Sequence, residues 1–261
     1  MNIPERYEVW QPPIIEKQTA NNCVAQVLSN IGECILYQET GKHIECSVGY
    51  IYGNPLNTEK QGMQPNIGMK IFYEDGFIER DIWECGFENP KCRNKYKEEV
   101  TNEIKANAHK IKDYVRIWTL AELQEHIMKY NLPVLISAKY QYLNGVGSDL
   151  HAVTCYGWDE RGLLYTNSWG TGGIYGDGKG IVQFKNLHMI WGVIPMELNT
   201  NIINPVGPTD IAGHWAENDI QYLFNKGIVR GYEDGSIKPN DPITRAEVFT
   251  LLARVLKASE G

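Results

Sequence analysis

Hydrophobic positions recur at helical spacing in the first half of the chain and in short, strand-like runs after it. Apolar residues three or four positions apart predict helices over Cys23–Tyr37, Asn66–Tyr73 and Leu120–Tyr130. Short apolar runs between Gly-rich turns then predict strands over Pro133–Ala138, Ala152–Trp158, Leu163–Asn167 and Gly180–Phe184. A helical half followed by a β-rich half indicates an α+β fold, in which a helical lobe faces an antiparallel β lobe across a cleft.

A stretch without hydrophobic periodicity separates this region from a shorter one. Residues 199–208, NTNIINPVGP, are rich in Asn and Pro and predict a linker. We therefore expect a first domain over residues 1–198 and a second over residues 209–261. Apolar stripes predict two helices in the second domain, over His214–Lys226 and Thr244–Leu256. Thr244 and Glu247 have the spacing of a capping box at the start of the later helix.

Composition and charge limit the classes of function that this chain can have. Its 261 residues are 43% hydrophobic and 22% charged, so it can bury a sizeable core. A net charge of −7 argues against a nucleic-acid-binding surface. No apolar run approaches the roughly 20 residues that a membrane span needs, and the N-terminal MNIPERYEVWQPP lacks an apolar signal-peptide core. We therefore expect a soluble product, made without a secretion signal or after removal of a leader.

The number and sequence surroundings of the cysteines predict mostly free thiols and not a disulfide scaffold. Six cysteines are too few for a disulfide scaffold in a chain of this length. Cys85 and Cys92 are close enough in sequence to close a short loop, whereas Cys34, Cys46 and Cys155 stand in apolar surroundings that predict buried thiols. No pair has the spacing of a zinc site, and we expect neither a metal nor another cofactor.

Four polar residues are candidates for chemistry: Gln18, Cys23, His151 and Asn167. Cys23 stands at the predicted start of a helix, where partial positive charge and N–H groups favour a thiolate. We expect His151 to carry the proton and Asn167, on the adjacent predicted strand, to bind one ring nitrogen of His151 and leave the other facing sulfur. We expect Gln18 to donate a side-chain N–H to the oxyanion, beside the backbone N–H of Cys23.

Residues 3–197 resemble the papain-like cysteine peptidases over nearly their whole mature length. The resemblance rests on Gln18 followed by Cys23-Val-Ala, on His151-Ala-Val and on Asn167-Ser-Trp-Gly. The separation of Cys23 and His151 is close to the roughly 130–150 residues of that family. The resemblance implies a two-lobed papain-like fold, in which these four residues are catalytic.

The resemblance also implies two supporting positions, and the chain departs from the family pattern near its nucleophile. Trp169 should shield the His–Asn hydrogen bond from water, and Gly62 is the nearest candidate for the backbone edge that pairs with substrate. Val24 stands where the family has Trp. The loop before Cys23 is one residue short and lacks the upstream Cys, so the disulfide that the family forms there cannot form.

Separated motifs within residues 209–257 resemble one surface-layer homology (SLH) repeat: Asp210–Ala216, Lys226–Gly235 and Ile243–Glu247. Such modules hold proteins to secondary polymers of bacterial cell walls, so the implied ligand is an anionic, pyruvylated saccharide. We expect Arg245 to pair with its carboxylate and Trp215 to stack on a sugar face, with Arg230 and Asp234 as further candidates.

Three functions fit these features, and each places the protein at the bacterial cell wall. The first is an active cysteine endopeptidase that cuts protein or peptide substrates while its SLH module docks on a cell-wall polysaccharide. The second is a catalytically weak or inactive papain-like wall-binding protein. The third is a phage-type lysin that cuts peptidoglycan peptides. A lone SLH repeat has little to bury its helices against, so its packing partners must come from the first domain, from a second protein or from identical chains. Identical chains need no new sequence, so we expect a closed homotrimer through residues 209–257.

Overall fold

The computed structural model divides the chain into two compact units, Met1–Thr200 and Asn201–Gly261. The predicted linker over residues 199–208 lies outside the residues that the structure describes. The described residues are 3–13, 18, 20–143, 145, 148–168, 178–196, 210–211, 213–225, 228–229, 231–232 and 236–259.

The described part of the first unit contains six α-helices and seven β-strands. The helices are α1 Cys23–Thr40, α2 Val48–Tyr52, α3 Pro65–Glu74, α4 Lys91–Glu99, α5 Asn102–Ala106 and α6 Leu120–Tyr130. The strands are β1 Tyr7–Glu8, β2 Ile111–Arg116, β3 Val134–Lys139, β4 Leu150–Asp159, β5 Gly162–Thr166, β6 Lys179–Val182 and β7 Leu187–Pro195. Most helices precede most strands in sequence, which confirms the predicted α+β class.

The seven strands form one antiparallel sheet with the order β2-β7-β3-β4-β5-β6, and β1 pairs with β4. β3 pairs with the first half of β4, and β1 pairs with its second half, where Glu8 lies opposite Gly157. A Cβ atom at Gly157 would clash with the carbonyl oxygen of Tyr7. Glycine therefore lets the N-terminal strand lie against β4, the strand that carries His151.

Helix α1 is the central element of the helical lobe. Its apolar positions are buried, and Leu28 and Ile31 have no exposed surface at all. Burial of each such side chain contributes about 1.5–3 kcal/mol, so most of the helix's stability comes from packing. The helix ends at Gly41, whose φ of 71° is the left-handed conformation that glycine adopts readily. α1 packs on β4, which brings its first residue toward the β lobe.

The predicted elements correspond to α1, α3, α6 and β3 to β6, with ends that differ by at most a few residues. The strands β2 and β7 lie outside the predicted elements. β2 is at the edge of the sheet and carries several polar side chains, Lys112, Asp113 and Arg116, so its sequence lacks the continuous apolar run that marks the central strands.

Cys85 and Cys92, whose spacing would allow a short disulfide-closed loop, are not joined, because all six cysteines are free thiols. Both residues are buried; Cys92 lies in the first turn of α4, and Cys85 lies against Gly49 of α2. The Cys92 thiol donates weak hydrogen bonds to the carbonyl oxygens of Gly49 and Cys85, each with a 3.8 Å separation. Cys34, Cys46 and Cys155 are buried thiols, as predicted.

The described part of the second unit contains α7 Glu217–Asn225 and α8 Arg245–Ser259. The predicted capping box at the start of α8 is confirmed. The Thr244 N–H donates to Glu247 Oε2 over 2.7 Å, and the Glu247 N–H donates to Thr244 Oγ1 over 3.2 Å. The first of the two helices begins three residues later than predicted, because His214–Ala216 form a turn that precedes it.

Candidate active site

Cys23 is the first residue of α1, and its sulfur accepts hydrogen bonds from the backbone N–H groups of Val24 and Cys23 in the first helical turn. Burial raises the pKa of the Cys23 thiol. Hydrogen bonds from backbone N–H groups, of Ala152 first and then of Val24 and Cys23 itself, oppose that rise. The N–H groups at the helix start therefore partly offset the desolvation that disfavours the thiolate form of Cys23. The contact with Ala152 also places the sulfur beside the residue that follows His151.

His151 and Asn167 are joined by a hydrogen bond of 3.0 Å between Nε2 and Oδ1. His151 lies on β4 and Asn167 directly follows β5, so the pairing of these two strands brings them together. Their exposed fractions are 1% and 5%, which keeps the hydrogen bond away from bulk water. Since Oδ1 can only accept, Nε2 carries the proton, and Nδ1 of the neutral ring has the lone pair that can accept one.

Burial is the main cause that lowers the pKa of His151 to about 4, and the hydrogen bond to Asn167 opposes it. The pKa of Cys23 moves in the opposite direction. Both shifts favour a neutral thiol beside a neutral imidazole over an ion pair. In this arrangement His151 can act as a general base at any pH well above 4.

Gln18 is bound to the residue that follows Asn167. Its backbone N–H donates to the Ser168 carbonyl oxygen over 2.8 Å, and its side-chain Oε1 accepts from the Ser168 hydroxyl over 2.6 Å. Because the amide oxygen is taken, the amide Nε2–H₂ is the end that can donate to another group. Ser168 was not among the predicted site residues, although it lies inside the Asn167-Ser-Trp-Gly motif.

Tyr140 lies flat against the imidazole of His151, with ring centroids 5.2 Å apart and an interplanar angle of 14°. It begins a short 3-10 turn after β3, and its N–H donates to the Asp149 carbonyl oxygen over 2.9 Å. Its own carbonyl oxygen accepts from the N–H groups of Leu143 and Gly145. No sequence motif marks Tyr140, and only the pairing of β3 with β4 brings it to the site.

The two predicted supporting positions have different outcomes. Gly62 has a φ of 79°, and a Cβ atom there would lie 3.9 Å from the carbonyl oxygen of Asn21. Gly62 is therefore beside the loop that leads to Cys23, in a conformation that favours glycine. Trp169 lies outside the described residues.

The predicted saccharide-binding residues of the second unit are described only in part. Trp215 is 89% exposed, and its ring centroid lies 5.6 Å from that of His214. Arg245 is the exposed first residue of α8. Arg230 and Asp234 lie outside the described residues. The carboxylate of Asp210 accepts hydrogen bonds from the N–H groups of Ile237 and Lys238, so this part of the repeat motif has a structural use.

Among the described residues, no group of three or more His, Cys, Asp or Glu side chains could hold a metal ion. Within the same part of the chain, no helix is both long enough and apolar enough to cross a bilayer.

The first unit is similar to solved cysteine proteases. Xylellain from Xylella fastidiosa is 17% identical with a TM-score of 0.62, and the match covers 75% of this chain and 88% of xylellain. A Carica candamarcensis cysteine protease, solved in complex with E-64, is 17% identical with a TM-score of 0.53, covering 74% of this chain and 99% of that one. The first unit therefore has the papain-like fold.

The second unit is similar to proteins of bacterial surfaces. Residues 209–249 match the S-layer homology domain. S-layer protein EA1 of Bacillus anthracis is 34% identical over 74 residues, which are 26% of this chain and 9% of EA1. The cellulosome-anchoring protein of Acetivibrio thermocellus is 44% identical over 48 residues, covering 18% and 11% of the two chains. This chain thus spans only about a tenth of the length of these curated relatives.

Proposed function

We propose that this protein is a cysteine endopeptidase that its SLH module holds at a bacterial cell surface. The observation that carries the proposal is the buried His151–Asn167 hydrogen bond beside Cys23, at the start of a helix. A nucleophile, a proton carrier and a residue that orients the carrier are the three parts that thiol catalysis requires. The papain-like fold of the first unit supports the same conclusion.

The reaction follows from the roles of these atoms. His151 Nδ1 takes the thiol proton as the Cys23 sulfur bonds to the substrate carbonyl carbon. The resulting oxyanion accepts hydrogen bonds from Gln18 Nε2 and the Cys23 N–H. The C–N bond then breaks, and His151 returns its proton to the leaving amine, which leaves a thioester on Cys23. Water attacks the thioester with His151 again as base, and release of the acid restores the thiol.

The position of Asn167 explains why the imidazole works in one orientation. Its Oδ1 holds Nε2, so the ring cannot rotate away from sulfur without losing a buried hydrogen bond. When His151 becomes protonated during the reaction, the same oxygen stabilises the cation. The role of Asn167 is therefore to orient the ring, and it exchanges no proton itself.

The SLH module supports a location at the cell surface and a saccharide partner. The relatives that match it include S-layer proteins. In this proposal the ligand of the SLH module is an anionic cell-wall polysaccharide. Arg245 pairs with its carboxylate, and the highly exposed Trp215 stacks on a sugar ring. Arg230 and Asp234 are further candidates from the sequence. In this proposal the substrates are proteins or peptides at the wall.

The experiment combines active-site labelling with hydrolysis. A thiol-directed epoxide should label Cys23 in the folded, reduced protein, and the protein should hydrolyse casein. Cys23→Ala and His151→Ala should each abolish hydrolysis, while Asn167→Ala should retain a part of it. Cys155→Ala, which removes a buried thiol that the proposed mechanism does not use, is the matched control for labelling.

The outcomes separate the three functions. A folded protein whose Cys23 resists the epoxide, while the denatured protein reacts, would leave a wall-binding protein without catalysis. Hydrolysis of purified wall peptides without any of casein, in parallel zymograms, would favour a lysin. Hydrolysis of casein that persists in Cys23→Ala would remove the nucleophile assignment.

A further inference from the structure

A carboxylate outside the catalytic set binds the loop that carries the nucleophile. Glu88 Oε1 accepts a hydrogen bond of 2.5 Å from the backbone N–H of Asn21, two residues before Cys23. Its other oxygen, Oε2, accepts a hydrogen bond of 2.6 Å from the Tyr52 hydroxyl. Glu88 therefore connects the loop before α1 to the end of α2, across a long separation in sequence.

Glu88 is itself held firmly. Its carbonyl oxygen accepts from the Cys92 N–H over 3.1 Å, in the first turn of α4. The side chain of the next residue, Asn89, accepts from the Arg93 N–H and donates to the Tyr52 carbonyl oxygen. Tyr52 is fully buried, and burial followed by its hydrogen bond to Glu88 raises the pKa of its hydroxyl, so it remains a donor.

The loop lacks two other devices that would fix it. Asn22 occupies the N-cap position of α1, but its side chain makes no capping hydrogen bond. Its Oδ1 is buried without a hydrogen-bond partner among the described residues. The loop also has no cysteine before Cys23, so no disulfide can tie it down. A charge-assisted hydrogen bond to the Asn21 N–H is a strong substitute, because an ionised acceptor roughly doubles the strength of a hydrogen bond.

We propose that Glu88 is a positioning residue for the nucleophile. Its carboxylate fixes the segment from Asn21 to Cys23, so that the thiol and the oxyanion-binding N–H of Cys23 keep their places relative to His151. This inference rests on the proposed peptidase function. Precise placement matters here because a displacement of about 1 Å can lower a reaction rate by about 100-fold.

Three variants test the proposal in the full chain, with kcat and KM measured on a peptide substrate. Glu88→Ala removes both hydrogen bonds and should lower kcat about 10- to 100-fold while KM changes by less than about threefold. Glu88→Gln keeps a neutral acceptor for the Asn21 N–H but loses the charge and the acceptor for the Tyr52 hydroxyl, so it should lower kcat by a smaller factor than Glu88→Ala. Glu98→Ala, at an exposed position on α4, is the control and should behave as the wild type.

The pattern of outcomes decides the matter. A folded Glu88→Ala protein with wild-type kcat would overturn the inference, and so would a Glu88→Gln protein that loses as much activity as the alanine variant. Tyr52→Phe, which removes a single hydroxyl, covers the case in which Glu88→Ala does not fold. It should lower kcat by a smaller factor, and an unchanged kcat would count against the proposal. A wild-type protein without Cys23-dependent hydrolysis would instead overturn the proposed function, and this inference with it.

Discussion

The Ser168 hydroxyl donates a hydrogen bond of 2.6 Å to Gln18 Oε1, and the Gln18 N–H donates one of 2.8 Å to the Ser168 carbonyl oxygen. This reciprocal pair joins the loop before the nucleophile to the segment that carries Asn167. It also selects the orientation of the Gln18 amide, because the serine hydroxyl binds the oxygen, and Nε2–H₂ is then the end that can donate to the oxyanion of the proposed reaction.

Gln18→Ala should lower transition-state stabilisation by about 2.7–4 kcal/mol, the range measured for loss of a comparable oxyanion donor. The loss should be in kcat with little change in KM, because the oxyanion exists only during the reaction. Steady-state kinetics on a peptide substrate checks this, and an unchanged kcat would mean that another donor serves the oxyanion. Ser168→Ala should have a smaller effect of the same kind, since the Gln18 amide then loses its fixed orientation but remains present.

Tyr140→Ala should move the acidic limb of the pH–activity profile to higher pH. The ring covers one face of His151, and burial is the main reason for the low pKa of that imidazole. Removing the Tyr140 ring admits water to the His151 imidazole. Water stabilises the protonated imidazole, so the pKa of His151 rises toward its ordinary value. Loss of the stacking contact should also lower kcat by a factor of about 2 to 10, equivalent to roughly 0.5–1.5 kcal/mol.

Tyr140→Phe is the matched control, because it keeps the stacked ring and removes only the hydroxyl. Its acidic limb should coincide with that of the wild type. If the alanine and phenylalanine variants shift the limb equally, then the hydroxyl rather than the stacked ring determines the titration of His151.

Much of the candidate site could be predicted from sequence because its residues stand in local motifs. The apolar periodicity of Cys23–Tyr37 predicts a helix that begins at Cys23. Two adjacent predicted strands with a short connection predict that His151 and Asn167 lie close together. Tyr140 and Glu88 could not be predicted in this way, because each reaches the site through long-range packing that leaves no pattern near it in sequence.

The same contrast holds for the fold. The central strands β3 and β4 are buried along nearly their whole length, and most of their residues are apolar. In the edge strand β2 only Ile111 is buried, and the other positions are exposed or half-buried and include charged residues. The pairing of β2 with β7 therefore determines its structure more than its own composition does.

His126→Gln should reduce the loss of stability in acid. His126 is buried on α6, and its Nε2 bonds to the Val193 carbonyl oxygen over 3.1 Å. Burial lowers its pKa to about 4, from an ordinary value of 6.5. The unfolded chain therefore binds more protons than the folded one in this range, and the free energy of unfolding falls as pH decreases from about 6.5 to about 4.

The size of this effect is about 3 kcal/mol for His126, from about 1.4 kcal/mol per unit of pKa difference. Gln keeps an N–H donor for the Val193 carbonyl oxygen and does not titrate in this range. Urea denaturation at a series of pH values should show a shallower dependence for His126→Gln than for the wild type. Parallel curves for the two proteins would show that His126 does not contribute to acid lability.

The second unit should assemble as a homotrimer. Helix α8 presents large apolar side chains to solvent, with Phe249, Leu252 and Leu256 exposed by 68%, 54% and 62%. These residues are three and four positions apart and form one stripe on the helix. An apolar stripe of this kind is typical of an interface, and identical chains can bury it in a closed assembly without further sequence.

Phe249→Glu should convert the trimer to a monomer, because it places a charge within the stripe. The substitution should leave the fold of the unit intact, since Phe249 buries little of its surface in the single chain. Light scattering of the full chain at micromolar concentration measures the mass, and Asp241→Asn, at an exposed position before α8, is the control. Trimerisation would also place three weak saccharide sites together, so Phe249→Glu should weaken retention on purified cell walls by a larger factor than single-site affinity explains. A wild-type chain that is monomeric and still binds walls tightly would show that one module suffices and that the exposed stripe has another use.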